Sequence, residues 1–500
     1  MSRYRHENSR TALEGLVGIY ARGGSSPLRR IPAERSDGLP FPRGLDYGYL
    51  QTIVTTNTTE LATPEVEHGQ RLVRRFATLN GITVALLMDS MLILYAIRNG
   101  VGDTAVAALA SFIHLTMPLM LVGKAMIARI GAARTWGLGW LLRNTSALVM
   151  VLAPFVPAAA PQAARTAVVL AGGFGFAAFR AIGLVGNSPV IGEITTGDDR
   201  GRFLSGNWTR ATISQILSLA AVIVILRHAP EIWVFQLVIG FGAVVGIYVG
   251  WLLTHVPESE IPRYSARKPL REVLRRVWHI PRMRKTLYAW TAGLAAFTLV
   301  IPFAVITVKN GYGLSDYQAL GLTLVMLAGG TIASVVNGII ADRVGPRPLL
   351  IIYVGILATL GVFWSFAPQQ LLVVPTLLAF FLAGFSKFGL ILVMNHYFLN
   401  VADGTDRVGS SMIMRVVSGA VAGLIGAVIG GGILGALHGL GLDGMEVYRN
   451  YFRIASVVLI ALVPVTRRLD RLDEWPVREA ALLLLRPRMI LRLRHRATDT

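Results

Sequence analysis

The sequence predicts an all-α polytopic membrane protein with twelve membrane-spanning helices in two sets of six. Three observations lead there. Of its 500 residues, 53% are hydrophobic and only 15% are charged, against roughly 25% charge in a soluble domain, and the mean hydropathy is +0.56. From Phe76 onward, apolar stretches recur with short breaks, each about 20 residues long, the length that crosses a bilayer core. The longest internal break, 257–286, divides these stretches evenly and is strongly basic.

The elements follow in order. Residues 1–75 form a polar, turn-rich extension, and no uninterrupted apolar run follows its basic start, which argues against a cleaved signal peptide. The first six spans are expected at 76–97, 104–127, 135–154, 166–190, 204–226 and 232–256, giving an N-terminal bundle over 76–256. The second six are expected at 287–308, 317–341, 348–367, 371–398, 409–437 and 449–466, giving a C-terminal bundle over 287–466. Pro118, Pro302 and Pro375 fall inside spans, where membrane helices accept them as kinks. Trp475-Pro476 opens an amphipathic stretch to Leu485, followed by five arginines. The segment 467–500 is thus expected to lie on the anionic inner leaflet as a helix and basic tail.

Charge sets the orientation. The central loop 257–286 holds nine Lys/Arg against three Glu, and its side of the membrane collects 16 cations against 5 on the other. By the positive-inside rule the central loop and both termini are expected in the cytoplasm. The composition excludes an ordinary soluble enzyme, a disordered chain and a nucleic-acid binder, although 48 Lys+Arg against 28 Asp+Glu leave a net charge of +20. With no cysteine, a disulfide scaffold, a thiolate metal site and a cysteine nucleophile are excluded together. The sequence carries no Walker-type loop, no G-x-S-x-G and no H-E-x-x-H, so neither a metal nor a cofactor is expected.

The two halves repeat. Arg202-x-x-Ser205-x-x-x-x-Arg210 before the fifth span matches Arg407-x-x-Ser410-x-x-x-x-Arg415 before the eleventh, and Ala128-Arg129-Ile130-Gly131 matches Asp342-Arg343-Val344-Gly345. Repeated bundles of this kind place a transporter's binding site at the midplane between them.

The segment Gly338-Ile-Ile-Ala341-Asp342-Arg343-Val-Gly345-Pro-Arg347 resembles the G-x-L-A-D-R-x-G-R-K signature of the major facilitator superfamily. The resemblance covers roughly 76–466 and implies that family's fold of two pseudo-symmetric six-helix bundles. It further implies that Gly338, Asp342, Arg343, Gly345 and Arg347 form a gating latch; a plain basic turn is the other reading. In the first half Ala128 stands where the signature has its acid. Phe179-Arg180-Ala-Ile-Gly183-Leu-Val-Gly186 resembles the family's arginine motif in the fourth span, whereas the fifth span lacks the Pro-Gly signature of proton-driven drug exporters.

Charges at bilayer depth are costly and normally face a partner or a wet cavity. By the resemblance, spans one, four, seven and ten line the central cavity, which places Asp89, Arg180 and Lys387 there. Asn187 and Asn395 follow about two turns beyond Arg180 and Lys387 on their helices. Two cations against one acid suit a small organic anion. Asp89 reads as a proton carrier or as a fixed pair to Arg180. Arg202, Arg210, Arg407 and Arg415 read as structural or gating residues that reach the interface or loop acids. His114 and His396 read as helix residues bonded in place. The expected function is a secondary transporter of a small anionic solute, coupled to protons; an exporter of amphipathic compounds and a membrane-embedded enzyme acting on a lipid or cell-wall precursor are the alternatives.

Overall fold

A computed structural model of the chain describes residues 61–88, 90–157, 159–195, 197–267, 269–401, 407–471 and 474–484. Among them twelve helices are long and apolar enough to cross a membrane. In order they are Thr63–Arg98, Asp103–Ile130, Ala132–Phe155, Gln162–Glu193, Arg202–His228, Ile232–Thr254, Pro281–Gly311, Asp316–Ala341, Pro346–Ser365, Val373–Phe398, Gly409–Gly439 and Met445–Arg467. The described residues contain no strand.

The first helix starts at Thr63, earlier than the hydropathy change at Phe76. Its start is set by local chemistry: Pro64 needs no amide partner in the first turn, and the Glu65 carboxylate accepts the Ala62 amide at 2.9 Å. The same span is interrupted midway. A helix over Thr63–Leu87 ends on Met88 in extended conformation, and helix resumes at Ser90–Arg98.

The repeat is visible in the backbone. Gly131, between the second and third spans, and Gly345, between the eighth and ninth, have φ of 96° and 86°, a left-handed conformation that glycine adopts without strain. A Cβ on Gly131 would also strike the Glu258 carboxylate.

Contacts are densest within each half: the third helix lies against the fourth and sixth, the first against the fifth, the eighth against the tenth, and the ninth against the tenth and twelfth. The halves join where the second helix meets the eleventh and the fifth meets the eighth. On the eleventh, Gly419 and Gly423 let its backbone lie against Met117 and Leu115 of the second, the close approach small residues permit. Residues 425–430 of the eleventh form a π-helical turn beside this contact. After the twelfth span, the helix Val477–Leu484 buries Ala480 and Leu483 in the protein core against the ninth helix. Its apolar side is thus covered by protein where a leaflet was expected; Arg486 and the residues beyond lie outside the described residues.

Candidate functional site

A cavity of about 70 Å³ lies among the first, second, fourth and seventh helices. Its wall is mainly apolar, with Phe176 of the fourth helix and Phe297 of the seventh as its largest rings. Polar points are few: His114 stands edge-on to Phe297 at 5.1 Å, and Ser90 accepts a hydrogen bond from Thr323 of the other half at 2.7 Å. Met88 and Ser90 line the cavity where the first helix is interrupted. Interrupted helices beside a midplane cavity free backbone groups for a bound solute.

Cations stand behind both rings. Arg143, in the middle of the third span, is 1% exposed, and its guanidinium carbon sits 4.3 Å from the Phe176 ring centroid and 5.3 Å from that of Trp140. Its Nε and Nη2 find no hydrogen-bond partner among the described residues, and Arg180 of the fourth helix is a like-charged neighbour. Lys387 Nζ stands 5.4 Å from the Phe297 centroid and 5.8 Å from that of Phe388. Each cation faces the negative quadrupole of an aromatic ring, and two of those rings, Phe176 and Phe297, are cavity walls.

Other expected site residues are placed differently. None of Arg180, Lys387, Asn187 and Asn395 is among the residues lining the cavity, whose wall includes no residue of the tenth helix; Asn187 is half-buried, and Asn395 donates to the Ile391 carbonyl of its own helix at 2.8 Å. Asp89 lies outside the described residues, as do the side chains of Asp342 and Arg407. Arg343 is exposed and Arg415 half-buried. Arg202 and Arg210 are exposed in a groove with Arg74.

The signature turn builds contacts within its own half. Arg347 pairs with Glu474 at 2.7 Å and donates to the Arg467 carbonyl at 2.8 Å, while the Trp475 amide donates to Val344 O. The first half has a counterpart: Glu258, after the sixth span, accepts the amides of Ala132 and Ala133 at 2.6 and 2.8 Å, capping the third helix. Burial raises the Glu258 pKa, opposed by those two amides and by Arg263, while Glu193 adds to the rise.

On the opposite face the halves are tied to each other. Asp316 of the eighth helix, its side chain 1% exposed, meets Arg98 at 2.5 Å and Lys309 at 2.6 Å. Asp103 of the second helix accepts from Tyr448 at 2.6 Å and from Asn310 at 2.7 Å.

Arg143 is the site residue that sequence reasoning missed. A cation inside an expected span, after Trp140, Leu141 and Leu142, meets the criterion of bilayer depth that marked Arg180 and Lys387, although the polar run Asn144-Thr145-Ser146 beside it blurs the signal. The helix break carries no such mark, for neither glycine nor proline stands at 87–90.

Comparison with known proteins places this geometry. No curated protein matches the chain by sequence. Among solved structures, nucleoside transporter NupG in a mutant form is similar at TM-score 0.63 and 10% identity, over 81% of this chain and 100% of that one. A D-xylose-proton symporter is similar at TM-score 0.56 and 17% identity, over 80% and 99%. A POT family transporter in complex with a thioalcohol conjugated peptide is similar at TM-score 0.54 and 13% identity, over 81% and 96%. At these identities the likeness is one of fold. The family profile described as Major Facilitator Superfamily matches residues 76–427, and with two six-helix halves, a repeated glycine turn and a cavity between the halves, the chain belongs to this superfamily of membrane transporters.

Proposed function

We propose that the protein carries a small organic anion with an apolar body across the cytoplasmic membrane by alternating access. The body lies against Phe176 and Phe297, and the charge lies in the field of Arg143, Arg180 and Lys387. The observation that carries this reading is Arg143: a fully buried guanidinium with two unpartnered nitrogens among the described residues. A charge so desolvated costs several kcal/mol, a cost that an arriving anion would offset.

Asp89 serves in this reading as the proton carrier. It is flanked in sequence by Met88 and Ser90, which line the cavity, and an acid's hold on its proton changes as a charged solute enters and leaves nearby. The 16-to-5 distribution of cations puts the central loop and both termini in the cytoplasm. The neighbours' printed solutes, a nucleoside, D-xylose and a peptide, differ in chemistry, so the substrate class rests on the residues.

Thermal shift with an aryl sulfonate, which stays ionised at any working pH, tests the reading. The wild type is expected to be stabilised. Arg143→Met should melt at or above the wild type without ligand, because the unpaired charge is gone, and should gain little from the sulfonate. Arg180→Gln should raise the dissociation constant at least about tenfold, or about 1.4 kcal/mol. Stabilisation by neutral or cationic amphiphiles and by no anion would reject the anion reading in favour of the exporter.

A further inference from the structure

A second polar site lies away from the central cavity. On the central-loop side of the membrane, the first and fifth helices flank an open groove of about 760 Å³. The helices touch near its inner end, where a Cβ on Gly81 would meet the Ala211 carbonyl. Arg74, Arg202 and Arg210 line it, and no described carboxylate does.

The groove is built to donate. Ser205 and Thr209 spend their hydroxyl protons on carbonyls of their own helix, at 3.1 and 3.0 Å. Gln70 gives its amide to the Ile194 carbonyl at 2.9 Å, and its side-chain oxygen accepts from Arg74 at 3.0 Å. The Phe203 ring, 5.7 Å from the Arg74 guanidinium carbon, supports that side chain from the fifth helix. The remaining donors are guanidinium N–H groups. Three such forks in one groove fit a ligand that only accepts and carries more than one ionised oxygen; a sugar would find few acceptors and a cation would be repelled.

We infer that this groove is a binding site for phosphate groups, borne either by a soluble phosphorylated compound or by the headgroup of an anionic lipid. Arg202 and Arg210 belong to the R-x-x-S-x-x-x-x-R segment and are exposed, whereas Arg415 in the corresponding segment of the second half is half-buried. The inference is independent of the anion proposed for the central cavity, since the two sites share no residue.

The test uses the full chain and a variant combining Arg74→Gln, Arg202→Gln and Arg210→Gln. In phosphatidylcholine nanodiscs, pyrophosphate should raise the melting temperature of the wild type, with half-saturation shifted at least tenfold in the variant. In nanodiscs containing phosphatidylglycerol, the wild type should melt higher than in phosphatidylcholine alone and the variant should not. Response to pyrophosphate assigns the site to soluble phosphate compounds, and response to the lipid alone assigns it to headgroups. The same variant with Lys at all three positions keeps the charge and should keep part of either response, which separates charge loss from misfolding. If wild type and Gln variant respond alike to both probes, or neither responds to any, the inference is overturned.

Discussion

The two membrane faces are held in different ways. On the face opposite the central loop, described polar contacts cross from one half to the other: Arg98 of the first half meets Asp316 of the second, which also pairs with Lys309 of its own half, and Asp103 of the first half meets Tyr448, Asn310 and His438 of the second. On the central-loop face they stay within a half or its adjoining loop: Arg347 with Glu474, Lys285 with Asp470, Arg263 with Glu258. There the halves touch through softer groups, with Met117, Met120 and Ala181 against Met412, and Trp208 against Phe388. Polar pairs that form or break as units suit a gate between rigid bodies, whereas pairs internal to a half keep that half rigid as it moves. Among the described residues the polar ties between halves lie opposite the loop, the arrangement expected of a conformation closed on that face.

The largest effect expected is from Asp316→Asn. It leaves Arg98 and Lys309 against a neutral amide at a buried position, and breaking such a pair costs about 3–5 kcal/mol. Only the Arg98 contact crosses between the halves, and Arg98 is 38% exposed, so the part of the cost that is specific to this state should shift the ratio of the two states by at least about tenfold. Labelling of a cysteine placed at Val305, a cavity residue, reads this shift from the opposite face. Asp103→Asn keeps one acceptor for Tyr448 and should shift the same ratio by about tenfold or less, since a lost hydrogen bond to a charged group is worth about 1.5–3 kcal/mol before its partial replacement.

The loop face should respond otherwise. Arg347→Gln removes a pair to a Glu474 carboxylate that is 4% exposed, and should lower the melting temperature while leaving the ratio of states unchanged. If the signature turn also latches the halves, Asp342→Asn will move the ratio, and comparison of the two variants separates the latch from the turn. Glu258→Gln is the smallest. Because the folded-state pKa of Glu258 is raised by burial, the folded protein holds that proton to a higher pH than the unfolded chain. Stability therefore falls as pH rises from the ordinary glutamate range through the raised value. The Gln variant should lack this decline; an identical pH slope would show that another group carries it.

Much of the fold was legible. Twelve apolar stretches, a basic break at the centre and two matching glycine turns are properties of composition and spacing, and a bilayer turns them directly into helices. The cations of the site were legible in kind: Arg180 and Lys387 stood out against apolar surroundings, and Arg143 lies at similar depth, its signal blurred by the polar run beside it. Their roles were less so, because the ring behind which each cation stands comes from another helix. Phe176 reaches Arg143 from the fourth span, and Phe297 reaches Lys387 from the seventh. The gate was not legible at all. Arg98 and Asp316 are 218 residues apart, and each reads in sequence as an ordinary solvated charge at a helix end. The break at Met88 was hidden for a different reason: neither glycine nor proline stands there, and Asp89-Ser90 is too weak a signal against helix to stand out in an apolar span.

Accessibility in the absence of solute tests the central claim most directly. The chain has no cysteine of its own, so a single cysteine at Ile301, in the cavity wall, can be challenged with an impermeant thiol reagent in sealed vesicles of each orientation. The account predicts rapid labelling from the central-loop side, labelling at least tenfold slower from the opposite side, and loss of that difference on adding Asp316→Asn. Faster labelling from the opposite side in the otherwise unaltered protein would contradict it.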